Sequence, residues 1–298
     1  MSRLSSLASV ADTRAVLEAH GLMTKKALGQ HFLINDGIVS RICDLADLSK
    51  TDAVVEIGPG IGTLTEALLK TSGKVVSIER DKDLIDVLDQ TCAGWEEFFT
   101  LISADALDIQ AADLPFAPNK LVANLPYAVA ATLVLDYFER LASLESATVM
   151  VQAEVADRMS AQPGSKNYGA YTIKLHLFAH PAGRFSVSES NFFPPPRVKS
   201  TVIRLDRNEK TTDAALAHAT MIMADAAFEN RRKTISNSMK RYFERIDPSF
   251  DYADLLVRLF EKTAIDPRTR GEQLELADYL RLGQVYLEFI SKLDSQRA

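Results

Sequence analysis

Between residues 53 and 152, five short apolar runs alternate with longer amphipathic segments, and this alternation leaves few folds open. The runs are "AVVEIG", "KVVSIE", "FTLISAD", "KLVAN" and "ATVMVQ". Three intervening stretches, "TLTEALLK", "DKDLIDVLDQ" and "VAATLVLDYFERL", have helical periodicity. Short runs rich in Val and Ile, bounded by polar or glycine residues, predict buried strands. Strands that alternate with helices at this spacing build βαβ units, because a parallel neighbour needs a long crossover. The expectation is an α/β, Rossmann-like fold with a mostly parallel sheet. Ligands in such sheets sit at the carboxyl ends of the strands.

The flanks differ. Residues 8–21 predict a short helix, 24–36 ("TKKALGQHFLIND") is polar, and 37–48 returns to a helical period. After the sheet, "NFFPPPRVKSTVIRLDR" (191–207) joins a proline-rich loop to an alternating strand. The polar stretch "RNEKTTD" is the best boundary. Beyond it the pattern is helical over 213–229, 231–245, 251–262 and 271–292. The expected domains are 1–207, carrying the sheet, and 208–298, smaller and all-helical.

Composition excludes several classes. Cys43 and Cys92 form no CxxC, which argues against a disulfide framework or a structural zinc and fits a reducing cytoplasm. No apolar run approaches the roughly 18 residues of a membrane span. The start, "MSRLSSLASVADTR", lacks the features of a secretory signal. The net charge of −6 predicts no general affinity for nucleic acid, so any basic patch has to be local. No catalytic metal is expected.

"EIGPGIGTLTE" follows the first strand and opens a helix. Gly58, Gly60 and Gly62 permit a tight turn and the close approach of a ligand. Thr63 occupies the place where a dinucleotide fingerprint needs its third glycine, so the pattern is GxGxG. Glu79 ends the second strand about 20 residues on, where an acidic side chain accepts from ribose hydroxyls. Asp105 closes the third strand and is placed to accept from an adenine amino group. These three suit S-adenosylmethionine as well as NAD.

"NLPY", Asn124-Leu125-Pro126-Tyr127, separates the two. The exocyclic nitrogen of adenine is a poor nucleophile, because its lone pair is delocalised into the ring. Two acceptors on its N–H groups favour a pyramidal nitrogen and aim the lone pair at a methyl donor. The Asn124 oxygen and the Leu125 or Pro126 carbonyl can be those acceptors, with proline fixing the backbone. Tyr127 can stack on the base. Hydride transfer gives this tetrapeptide no task.

The ordered set "GQHFL" (29–33), "VEIGPGIGTLT", "IERD", "ADAL", "NLPY", "FFPPPRVKS" (192–200) and "FENRRKTISNSM" (228–239) resembles the rRNA adenine N6-dimethyltransferases, in particular the KsgA/RsmA branch. The resemblance covers about 25 to 290. It implies a class I methyltransferase fold and dimethylation of two adjacent adenosines near the 3′ end of 16S rRNA in the small ribosomal subunit. The cofactor it implies is S-adenosyl-L-methionine, held by His31, Leu33, Gly58, Gly60, Glu79, Asp105 and Asn124. Asn124, Leu125, Pro126 and Tyr127 would be catalytic, and Tyr127 and Phe193 would clamp the flipped-out adenine. Lys25, Lys26, Arg231, Arg232, Lys233 and Lys240 would meet rRNA phosphates. On a helix, Arg232, Lys233 and Lys240 would fall within roughly 60° of one another. A monomer is expected, with no obligate protein partner and no membrane. Two rivals are the large-subunit enzymes of macrolide resistance and a non-catalytic assembly factor on the same fold. "GQHFL" and "FENRRKT" favour the small-subunit enzyme over the first. Intact Gly58, Glu79, Asn124 and Tyr127 speak against the second.

Overall fold

A computed structural model describes residues 3–22, 31–209, 212–249 and 251–297. The chain divides into two compact units, 1–156 with 181–207 and 157–180 with 208–298. One division falls after Arg207. In addition, 157–180 joins the helical unit, an excursion that no composition shift marks.

The first unit opens with α1 (Val10–Ala19), β1 (Phe32–Leu33) and α2 (Asp36–Ala46). Ser9 starts α1 by accepting from the Asp12 amide, and Asn35 starts α2 by accepting from the Gly37 amide. Such caps satisfy amides that the first helical turn leaves without partners. The predicted alternation follows as β2 (Ala53–Ile57), α3 (Thr63–Thr71), β3 (Lys74–Glu79), α4 (Ile85–Thr91), β4 (Phe99–Ser103), β5 (Lys120–Asn124), α5 (Ala130–Arg140) and β6 (Ser146–Gln152). Then come α6 (Ala153–Met159), α7 (Ala170–His176), β7 (Ala179–Val187), β8 (Phe192–Phe193) and β9 (Ser200–Arg207).

Seven strands form one sheet in the order β4-β3-β2-β5-β6-β9-β7. The pairs among β2 to β6 are parallel, and β9 lies antiparallel to β6. Every residue of β2 is buried, which is why its sequence reads as a continuous apolar run broken only by Glu56. Val39, Ile42, Leu64 and Leu68 from α2 and α3 pack on Val54, Val75, Val122 and Met150 of the sheet. Each such side chain contributes about 1.5–3 kcal/mol by leaving water. From β2 the chain runs outward to β4, then returns with β5 on the other side of β2. Strand order therefore reverses between β2 and β5, and a crevice opens at their carboxyl ends.

A second, two-stranded sheet pairs Phe32 with Phe193 and Leu33 with Phe192. Its strands are far apart in sequence, so neither half has a local pattern. Phe32 joins Leu17 of α1 and Ile61, Leu84 and Val87 in a cluster against which Phe193 packs.

The second unit contains α7, α8 (Ala214–Phe228), α9 (Ile235–Ile246), α10 (Ala253–Thr263) and α11 (Leu276–Arg297). Its core includes Ile173, Met223, Met239, Phe243, Leu259, Tyr279 and Leu282. The helix expected from 231 begins at Ile235. Thr234 caps it by accepting from the Asn237 amide, and a turn closed by Lys233 N to Asn230 O (3.0 Å) precedes it. The helix expected from 271 begins at Leu276, after a short 3-10 turn over Gly271–Gln273. Side-chain bonds to local backbone outcompete helix at such positions. Among the described residues no helix is long and apolar enough to cross a membrane.

Candidate active site

The crevice is a cavity of about 630 Å³, within the usual range of ligand sites. It brings together every residue expected on the cofactor: His31, Leu33, Gly58, Gly60, Glu79, Asp105 and Asn124. Leu125, Pro126 and Tyr127 line it as well.

The glycine loop forms the floor. Gly58, Gly60 and Gly62 have φ of +66°, +63° and +92°, a region that L side chains avoid. A Cβ on Gly60 would lie 3.1 Å from the Phe32 ring, so glycine also lets β1 close down on the loop. Gly62 begins α3 without a capping side chain. Beside it Thr63 lines the cavity, 4% exposed, and its hydroxyl has no partner among the described residues. A buried hydroxyl left alone costs about 1–3 kcal/mol. A polar ligand group in the cavity would relieve that cost.

Three carboxylates face this floor. Glu79 accepts from the amides of Asp81 (2.7 Å) and Gly60 (3.3 Å), one bond to each oxygen. The Arg80 amide contributes as well, and the carboxylate, with about four lone-pair sites, keeps acceptor capacity for a ligand. Burial pushes its carboxyl up, and the amide bonds offset part of that rise. Asp105 accepts from the Leu107 amide (3.0 Å) and pairs with Arg80 at 3.1 Å. Arg80 lines the cavity but was not among the expected residues. Its side chain is 68% exposed, so the pair itself adds little stability.

Glu56 is the residue that sequence reasoning missed. Its Oε2 accepts from the hydroxyls of Thr65 and Ser77, both at 2.7 Å, and it lines the cavity. A lone acid inside an otherwise apolar strand was the available clue. Burial pushes its carboxyl up to about 7, against the pull of the two hydroxyls and with a push from the charge of Glu79. The folded state thus holds this proton more tightly than the unfolded chain, whose glutamate titrates near 4.3. That stabilisation is complete below the unfolded pKa and is lost as pH rises through the folded one. Glu56→Gln should therefore flatten the fall in stability between about pH 4 and 7, measured by chemical denaturation across that window. A wild-type slope that survives the substitution would refute the assignment.

Asn124 ends β5. Its Nδ2 donates to the His31 carbonyl (3.2 Å), and no donor among the described residues reaches Oδ1, which can accept. The amide orientation is assigned from this bond. Leu125 N continues the ladder to Met150 O at 3.1 Å. The Pro126 carbonyl accepts from Val129 N (3.2 Å) and Ala130 N (3.1 Å) and so starts α5. No donor among the described residues reaches the Leu125 carbonyl. Of the two candidate acceptors, Leu125 is the free one.

The Tyr127 hydroxyl bonds Ser200 Oγ at 2.6 Å, and burial keeps it protonated by raising its pKa. Its ring faces that of His31 at 6.0 Å between centroids and 27° between planes. Nδ1 of His31 lies 2.8 Å from Pro194 O and must donate, since a carbonyl only accepts. Phe193, the other expected half of the clamp, is not among the cavity residues. Its ring packs with the α1 cluster, and the Arg14 guanidinium lies 4.9 Å from its centre.

Of the expected phosphate contacts, Lys25 and Lys26 lie outside the described residues. Within the second unit, Arg231 is engaged by Glu272 (2.8 Å) and by Ser165 O (3.1 Å), and Lys240 by Glu244 at 3.7 Å. Arg232 and Lys233 are exposed in the turn before α9, so the shared helical face expected for Arg232, Lys233 and Lys240 does not form. Thr234, as the cap, fixes the helix start beyond them.

Comparison with known proteins adds the chemistry. A family model described as ribosomal RNA adenine dimethylase matches residues 21–281. The ribosomal RNA small subunit methyltransferase A of Shouchella clausii is 36% identical, over 99% of this chain and 100% of its own. The protein of the same description from Staphylococcus aureus strain Newman is 35% identical over 93% and 94%. Among solved structures, a dimethyladenosine transferase from Plasmodium falciparum superposes with a TM-score of 0.71 at 26% identity, covering 85% of this chain and 96% of its own. The 23S rRNA methyltransferase ErmE has a TM-score of 0.62 at 22% identity, with 85% and 98% covered, a likeness of fold alone.

Proposed function

Because the chain belongs to the ribosomal RNA adenine dimethylase family, we propose that it dimethylates N6 of two adjacent adenosines near the 3′ end of 16S rRNA. The methyl donor is S-adenosyl-L-methionine; the substrate is the small ribosomal subunit, which the names of the relatives at 35–36% identity support. The enzyme acts as a monomer in the cytoplasm, where that subunit is found. One observation carries the reading: Asn124 is held by its Nδ2 in the wall of an acidic cavity, and among the described residues neither its oxygen nor the adjacent Leu125 carbonyl has a donor.

The donor fits the residues present. Glu79 offers lone pairs to ribose hydroxyls, and Asp105 accepts from the adenine amine. The orphaned Thr63 hydroxyl and the uncapped amides of α3 suit the carboxylate of an amino-acid tail. When bound, S-adenosyl-L-methionine supplies an electrophilic methyl group on a sulfonium. Asn124 Oδ1 and the Leu125 carbonyl accept from the two N–H groups of the target amine and direct its lone pair at that methyl. Tyr127, anchored by Ser200, holds the base in plane. Alignment and fixed dipoles supply the catalysis. The methylated ammonium is acidic and gives its proton to water, so no strong base is required.

The test is transfer of labelled methyl groups to small subunits lacking the modification, with products mapped by mass spectrometry. Adjacent N6,N6-dimethyladenosines near the 3′ end are expected. Label in large subunits alone would move the chain to the resistance enzymes, and cofactor binding without transfer would favour an assembly factor.

Phosphate binding by the second unit predicts a salt effect. Arg232→Ala with Lys233→Ala should weaken subunit binding and lower the slope of log affinity against log salt by about 1.5, near 0.7–0.9 for each phosphate no longer neutralised. Filter binding at several salt concentrations measures the slope. An unchanged slope would remove this turn from the rRNA interface.

A further inference from the structure

We propose that the loop from Pro195 to Lys199 grips the rRNA strand beside the target. Arg197 and Lys199 meet backbone phosphates, and the Val198 side chain packs into the gap that the flipped-out adenosine leaves in its strand. The inference rests on the adenine methyltransferase reading above. It begins from the way the loop is held. At one end Pro194 O accepts from His31 Nδ1 at 2.8 Å, and at the other Ser200 Oγ bonds the Tyr127 hydroxyl at 2.6 Å. His31 and Tyr127 both line the cavity, so the loop stands at its rim. A third bond, Ala153 N to Lys199 O at 3.0 Å, ties it to the start of α6. Three consecutive prolines, the last of them buried, stiffen the segment, so little freedom is left to lose on binding.

The side chains that this frame presents are unlike the wall behind them. Glu56, Glu79 and Asp105 make the cavity acidic, which repels an approaching phosphate backbone. Arg197, Val198 and Lys199 are all exposed, and neither cation has an ion-pair partner among the described residues. Two residues apart, the cations lie within about 7 Å of each other along the backbone, the scale of neighbouring phosphates. Val198 is 43% exposed, one of three large apolar side chains left so open among the described residues of the first unit. The chain bends at Arg197 and Val198, so the valine is not forced to the face opposite both cations, as it would be in a strand. Extruding a base leaves its neighbours unstacked. Proteins that distort nucleic acids fill such steps with an apolar wedge, and a solvated valine gains by leaving water there.

The experiment uses the full chain and small subunits that lack the modification. Filter binding at several salt concentrations gives the first readout. Arg197→Ala with Lys199→Ala should lower the slope of log affinity against log salt by about 1.4, near 0.7 for each single-strand phosphate no longer neutralised. Single-turnover methyl transfer, with enzyme and S-adenosylmethionine saturating, gives the second. Val198→Ser should slow it about ten-fold, in the lower part of the range for one base stack, and Val198→Leu should recover most of the rate. Calorimetry with S-adenosylhomocysteine should show unchanged affinity in all three variants, because none of these side chains lines the cavity. An unchanged slope overturns the phosphate contacts. The wedge is overturned by a wild-type rate in Val198→Ser, by failure of Val198→Leu to restore the rate, or by a parallel loss of cofactor affinity. Wild type that methylates small subunits beside three unaltered variants would reject the loop alone. Wild type that transfers no methyl group to them would reject the reading and the grip together.

Discussion

Asn124→Ala should lower methyl transfer to small subunits by about 10²–10³ in kcat while S-adenosylmethionine binding changes only a few-fold. The magnitude is that of removing one fixed dipole from a developing charge. The cause is geometric. Asn124 Nδ2 is committed to His31 O, so Oδ1 has one place to accept, and the substitution leaves the target amine with a single acceptor at Leu125. Asn124→Asp tests the direction of the amide. A carboxylate keeps an acceptor but cannot donate to the His31 carbonyl, so recovery should be small. Single-turnover kinetics separates the chemical step from binding. If Asn124→Ala instead weakened cofactor binding and left the chemical step intact, Asn124 would be a cofactor residue only.

Glu79→Ala carries the second large effect, on the cofactor. Two hydrogen bonds from ribose hydroxyls to a charged acceptor are worth about 1.5–3 kcal/mol each, so a loss of roughly 3 kcal/mol or more is expected. That is about a hundred-fold in Kd. S-adenosylmethionine and S-adenosylhomocysteine should weaken equally, because their riboses are identical. A loss confined to S-adenosylmethionine would mean that Glu79 serves the sulfonium charge instead. Glu79 also holds the amides of Asp81 and Gly60, one on each oxygen, so part of the loss comes from the loop; Glu79→Gln keeps one acceptor oxygen and with it at most one of those two bonds. It should lose about ten-fold, since a hydrogen bond to a neutral group is worth roughly half as much.

Much of the first unit was legible because its information is local. "AVVEIG" and "KVVSIE" are strands wherever the chain can bury both faces, and the glycines between β2 and α3 encode positive φ directly. Asn124 and Tyr127 were legible because an asparagine and a tyrosine flanking Leu-Pro at the end of a buried strand have little structural use. The start of α9 was misjudged because charge patterning suggested a helix over 231–234 while the Thr234 side chain set the boundary. Glu56 was overlooked because an acid in a buried strand gains meaning only once Thr65 and Ser77 are seen to surround it.

The sequence by itself determined the α/β alternation, the glycine floor and the two strand-end residues, Glu79 and Asn124, that face the cavity. Backbone periodicity and φ preference are properties of neighbouring residues, so they survive without the fold. Tertiary structure alone decided that β1 pairs with β8 over the glycine loop and that 157–180 belongs with the C-terminal helices. It also decided that Pro126 starts a helix while the Leu125 carbonyl stays free, and that His31, not Phe193, faces Tyr127. Those outcomes depend on contacts between residues far apart in the chain, where burial and hydrogen-bond satisfaction select among conformations that local preference leaves nearly equal.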